Sequence, residues 1–186
     1  MAITLADRVR VVEGDITQLD VDAIVNAANE SLLGGGRVDG AIHRAAGAEL
    51  LAECRRLGGC PTGAARLTDG YRLLAKYVIH AVGPVYETGR GGEAELLRSC
   101  YEESLLLAAQ RQVWTIAFPC ISTGAFGFPM EEACRIATDI VLRWLAQNEY
   151  PRQVTFCCYE AEDADCYRRA LGVRLGVAAK EDLQGP

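Results

Sequence analysis

The chain has 186 residues, 50% of them hydrophobic, with a formal net charge of -6 and a pI near 5.0. That length can bury most of its apolar surface in a single core, while the acidic balance argues against a general nucleic-acid binder, which needs a basic face. No apolar run approaches the roughly 20 residues that span a bilayer, and Met1 to Arg10, which carries Asp7, lacks the apolar segment of a secretory signal. A cytoplasmic location is the default expectation.

In chain order, short apolar segments alternate with amphipathic ones. Strands are expected near Val9 to Glu13, Ala23 to Asn26, Ala64 to Thr68, Tyr77 to Val82, Thr115 to Pro119 and Val154 to Tyr159. Helices fit Val38 to Arg56, Glu93 to Arg111, Met130 to Gln147 and Ala164 to Leu171. This order predicts a mixed sheet between helix layers. Neither a repeat nor a linker-like shift in composition divides the chain. Thr88 to Gly92 reads as an exposed loop, and Val173 to Pro186 as a loosely held tail after a domain spanning residues 1–172.

The densest signal lies in residues 24–43, IVNAANESLLGGGRVDGAIH. An apolar strand runs into a turn with two Asn, then a Gly run, then an Asp at the entrance of a helix. Amides exposed by glycine, together with a helix N-terminus, suit anionic oxygens. A Gly run alone more often marks a flexible loop, but a second stretch changes that reading. Ile116 to Ile121 has a buried-strand pattern and leads directly into Ser122-Thr123-Gly124-Ala125-Phe126-Gly127-Phe128-Pro129. Two phosphate-type loops after two strands suggest a diphosphate between them, with Phe126 covering a sugar face.

The eight cysteines form no C-x-x-C pair, and His43 and His80 are the only histidines, so a zinc site has poor material. Buried free thiols are the better account. The histidines are expected in the core or on a helix face.

Gly14-Asp15-Ile16-Thr17, Val25 to Asn29, Val38 to His43, Tyr77 to Pro84 and Ile121 to Pro129 together resemble the signatures of a macrodomain of the MacroD type, over roughly residues 8 to 172. The resemblance implies a three-layer α/β/α sandwich with a central mixed sheet. It also implies a protein that binds ADP-ribose, deacetylates O-acetyl-ADP-ribose, and removes mono-ADP-ribose esterified to protein Asp or Glu. Ligands are then ADP-ribose, its acyl esters and mono-ADP-ribosylated proteins, with no cofactor, metal, membrane or nucleic acid. The alternatives are a non-catalytic ADP-ribose reader and an ADP-ribose-1″-phosphatase.

The same resemblance assigns roles. Asp39 is the catalytic carboxylate that orients water, at a helix start where the dipole favours negative charge, and Asn29 fixes the distal ribose, with Asn26 bracing the turn. The binding set is Asp15, Ile16, Asn29, Gly35, Gly36, Arg37, Val38, Ser122, Thr123, Gly124, Ala125, Phe126 and Tyr159. Asp15 either accepts from the adenine amine or merely caps its turn, and Tyr159 either stacks on the base or packs at the rim. Ser122 and Thr123 are phosphate ligands; no G-x-S-x-G elbow marks either as a nucleophile. The chain departs from the family at Arg37, where a fourth glycine is usual, and at Ala64, where many relatives have a polar residue. The expectation for Arg37 is a mild obstruction of the loop or a side chain turned out to solvent.

Overall fold

Alternating side chains send each central strand to two separate cores. The structure, a computed structural model, describes residues 3–176. Six strands, β1 (Val9–Glu13), β2 (Ala23–Ala28), β3 (Ala65–Asp69), β4 (Tyr77–Val82), β5 (Thr115–Phe118) and β6 (Gln153–Cys158), form one sheet in the order β1-β6-β5-β2-β4-β3. Neighbours are parallel except at one edge, where β3 runs antiparallel to β4.

Helices α1 (Arg37–Ala46) and α2 (Ala48–Leu57) cover one face, and α3 (Glu93–Gln110), α4 (Met130–Gln147) and α5 (Ala161–Leu175) cover the other. On the first face Ile24, Ala28, Val78, Val82 and Ala117 meet Ile42, Ala46 and Leu50. On the second, Val25, Ile79, Phe118 and Phe156 meet Tyr101, Ile136 and Tyr167. This is the expected three-layer sandwich with a mixed sheet. The strand parity that divides the apolar residues also carries Asn26 and His80 to the α1/α2 face. Both are fully buried, and the β2–β4 register sets them side by side. All eight cysteines are free, and Cys157 and Cys158 face opposite cores.

The structure corrects three local expectations. The helix expected from Val38 to Arg56 is two helices, because Gly47, at φ 92, terminates α1 and opens α2; hydrophobic periodicity reads through a single glycine, whereas the backbone turns there. Strand β2 runs two residues further than expected, to Ala28, which places Asn26 inside the strand instead of at its end, where it braces Asp39 and not the turn. The loop at residues 88–92 is exposed as expected, and it is tied down where the Glu93 carboxylate accepts from the amides of Glu87, Thr88, Gly89 and Gly91. Helix α5 continues to Leu175, through the boundary expected at residue 172. The rest of the expected tail, residues 177–186, lies outside the described residues.

Candidate functional site

A cleft of about 940 Å3 opens at the carboxyl ends of the parallel strands, a size suited to a ligand of several rings. Its position follows from the connections. After β2 the chain crosses to the α1 face, and after β5 it returns through α4 on the opposite face, so the two loops part and leave a crevice between adjacent strands. Gly14, Asp15 and Ile16 follow β1, Asn29 and Gly35 to Asp39 follow β2, Gly83 follows β4, Pro119 to Phe126 follow β5, and Tyr159 follows β6; all of them line the cleft. Every residue of the expected catalytic and binding sets is therefore on its wall.

The first loop is shaped by contacts that exclude side chains. A Cβ on Gly35 would lie 3.0 Å from Asp39 Oδ2 and 3.5 Å from Asn29 Nδ2, so the carboxylate oxygen and the amide converge on one point of the wall. A Cβ on Gly40 would meet the Gly35 carbonyl; its absence lets the loop rest on α1. Asn29 is held at both ends, donating from Nδ2 to the Gly34 carbonyl at 2.9 Å and accepting from Ser31 Oγ at 2.6 Å. It is a brace of the loop as well as a wall of the cleft.

Asp39 is 5% exposed and pinned from behind. Asn26 Nδ2 donates to its Oδ1 at 2.8 Å, and His43 Nε2 lies 3.5 Å from the same oxygen. Asn26 Nδ2 also approaches His80 Nδ1 at 3.1 Å. Both atoms facing that amide nitrogen accept, so the hydrogen-bond pattern places the His80 proton on Nε2, where Thr68 Oγ1 stands at 2.9 Å and Cys54 Sγ at 3.7 Å. Burial, reinforced by the neighbouring His43, pushes the His80 pKa down to about 3. The expected core histidine thus belongs to the polar chain that fixes the candidate base. Sequence reading missed this chain, although the shared parity of positions 24, 26 and 28, and of 78, 80 and 82, was visible.

His43, Cys54 and His80 bring potential metal-ligand atoms within 4.8 Å of one another, a convergence that sequence spacing did not suggest. Both ring nitrogens of His80 already face hydrogen-bond partners. A cation there would have to displace Thr68 or Asn26, and the geometry fits a hydrogen-bonded network better than a coordination shell.

The second loop approaches β4 so closely that a Cβ on Gly83 would collide with Ser122 Oγ and Ile121. Ser122 adopts φ 65, and its buried Oγ has no partner among the described residues. Such strain in a non-glycine residue is retained where the surroundings enforce it. The Thr123 hydroxyl donates to the Cys120 carbonyl at 3.1 Å, so what it offers a ligand is its backbone and its lone pairs. The loop is anchored by Tyr86 N to Phe126 O at 2.8 Å and Phe128 N to Ser122 O at 2.9 Å.

At the far end, Asp15 Oδ1 accepts from both the backbone amide and the hydroxyl of Thr17. Asp15 therefore does cap its turn, while its exposed carboxylate also lines the cleft. Tyr159 is 79% exposed at the rim. Sequence reading did not select Arg44, Glu160 or Asp163, which also line the cleft.

Against the two expectations for Arg37, obstruction of the loop or a side chain turned to solvent, the residue is exposed but its side chain runs along the cleft and not simply outward. Its backbone is left-handed at φ 50, and its side chain crosses to the second loop, where a Cβ on Gly124 would lie 3.1 Å from Arg37 Nη1 and 3.6 Å from Cδ. The left-handed start of α1 aims the side chain along the cleft mouth.

Comparison with known proteins agrees with this geometry. The family model for the Macro domain matches residues 25–137. A Macro domain-containing protein of Methanosarcina mazei is 58% identical over 165 residues, covering 89% of this chain and 88% of the relative. The ADP-ribose glycohydrolase MACROD2 of Homo sapiens is 51% identical over 176 residues, covering 94% of this chain and 41% of that longer protein. Among solved structures, the Oceanobacillus iheyensis macrodomain with ADP superposes with a TM-score of 0.86 at 39% identity, covering 89% of this chain and 90% of that one. The Trypanosoma brucei macrodomain in complex with ADP-ribose gives 0.84 at 42% identity, covering 89% and 70%. The chain belongs to the Macro domain family.

Proposed function

We propose that this protein is an ADP-ribose-binding hydrolase that cleaves acyl esters of the distal ribose, namely O-acetyl-ADP-ribose and mono-ADP-ribose esterified to protein Asp or Glu. The carrying observation is the convergence of Asp39 Oδ2 and Asn29 Nδ2 on the wall at Gly35, between two loops built of small residues. Relatives named ADP-ribose glycohydrolase at about half identity support the hydrolase reading.

In this reading the diphosphate lies between the Gly35–Val38 and Ser122–Phe126 loops, adenine reaches Asp15, Ile16 and Tyr159, and the distal ribose faces Asn29. Asp39 Oδ1 is committed to Asn26, which leaves Oδ2 to accept a proton from water. The water oxygen attacks the acyl carbonyl carbon, the bond from that carbon to the ribose oxygen breaks, and the proton passes to the departing ribose hydroxyl. Amides at the α1 N-terminus and in the second loop hold the diphosphate. No covalent enzyme intermediate and no metal enter this scheme.

The test measures acetate release from O-acetyl-ADP-ribose beside a calorimetric titration with ADP-ribose, for the wild type and Asp39→Ala. Turnover should fall by about 10²-fold or more in the variant, with ADP-ribose affinity kept within about tenfold, because a water-orienting carboxylate acts in the transition state. Binding without turnover by the wild type would select the reader alternative.

A further inference from the structure

We propose that Arg37 is a clasp for the diphosphate: its side chain bridges the two loops across the cleft mouth and serves as the counter-charge that makes this cleft selective for nucleoside diphosphates. The proposal rests on the reading that the cleft holds ADP-ribose.

Three independent observations carry it. Arg37 holds a left-handed backbone, φ 50, which an L-residue adopts at a cost that glycine would avoid; such strain is retained where position matters. Its guanidinium end lies against Gly124, where a Cβ would stand 3.1 Å from Nη1 and crowd it. Finally, the charges lining the cleft are Asp15, Asp39, Glu160 and Asp163 against only Arg37 and Arg44. A ligand with two phosphates enters a wall dominated by carboxylates, and Arg37 is the cation positioned between the two phosphate-type loops. Its planar fork can engage two phosphate oxygens at once. Because the bridge spans the mouth, it swings aside for entry and closes over the bound diphosphate, so both association and dissociation are slower than with an open mouth.

The experiment titrates wild type, Arg37→Gly and Arg37→Lys with ADP-ribose, ADP and adenosine at low and high salt, with stopped-flow dissociation rates and apo melting temperatures. Arg37→Gly should lose about 10- to 100-fold in affinity for ADP-ribose and ADP at low salt, less at high salt where the attraction is screened, and nothing for adenosine. Its dissociation should be faster, and its melting temperature unchanged or higher, since glycine suits the left-handed backbone. Arg37→Lys should fall between the two. Gly124→Ala should cost affinity in the wild type but little in Arg37→Gly. Unchanged or tighter diphosphate binding by Arg37→Gly overturns the clasp, as does a loss shared equally by adenosine or accompanied by a lower melting temperature. Failure of the wild type to bind ADP-ribose at all overturns the underlying reading instead.

Discussion

His80 should give the protein a specific pH dependence of stability. Its imidazole is fully buried and faces Asn26 on β2, Thr68 on β3, Cys54 on α2 and His43 on α1. Desolvation, with help from His43, lowers its pKa from 6.5 to about 3. Between those values the unfolded chain carries a proton at this position that the folded chain refuses, so stability is full above about pH 6.5 and falls as pH drops toward 3. The slope is about 1.4 kcal/mol per pH unit. From neutral pH to pH 5 the loss attributable to His80 is therefore about 2 kcal/mol, a substantial share of the 5–15 kcal/mol typical of a domain. The assay is urea unfolding of wild type and His80→Gln at pH 7.5, 6.0 and 5.0. Gln offers an acceptor to Asn26 and a donor to Thr68 but does not titrate. Subtracting the two curves removes contributions from the other groups. Equal pH slopes in the two proteins would refute the assignment of a neutral, proton-excluding His80.

Two further outcomes are expected. Asp15→Ala should weaken ADP-ribose binding by a few-fold to about tenfold, since Oδ1 caps the turn while the proposed adenine contact falls to the other oxygen of this exposed residue; calorimetry decides, and unchanged affinity removes Asp15 from the adenine site. Chelator should leave turnover unchanged, and added zinc should neither raise activity nor increase the melting temperature. Activity that collapsed in chelator and returned with a divalent ion would instead make His43, Cys54 and His80 a metal site.

What the sequence revealed and what it hid divide along the range of the interactions. Strand β4 and helix α4 carry their bounds in local alternation and 3.6-residue periodicity, and both were readable to the residue. The α1–α2 break was not, because a single Gly47 weighs little in a periodicity window yet fixes a left-handed turn. The cleft-lining residues were legible since each sits in a loop whose glycines and small residues announce themselves. Their support was not: Asn26 reaches Asp39 across 13 positions and His80 across 54, and only the β2–β4 register brings the last two together. A buried Asn and a buried His in apolar strands look, in sequence, like isolated exceptions to hydrophobic patterning, whereas burial obliges each to find a partner. Two such exceptions on strands of one parallel sheet, at positions facing the same helix layer, should be read as a pair before either is read alone. The nearest carboxylate on the covering helix is then the group they serve. Arg37 illustrates the converse. Its departure from a glycine was visible, but its direction depends on φ at one residue, which no pattern of side chains encodes.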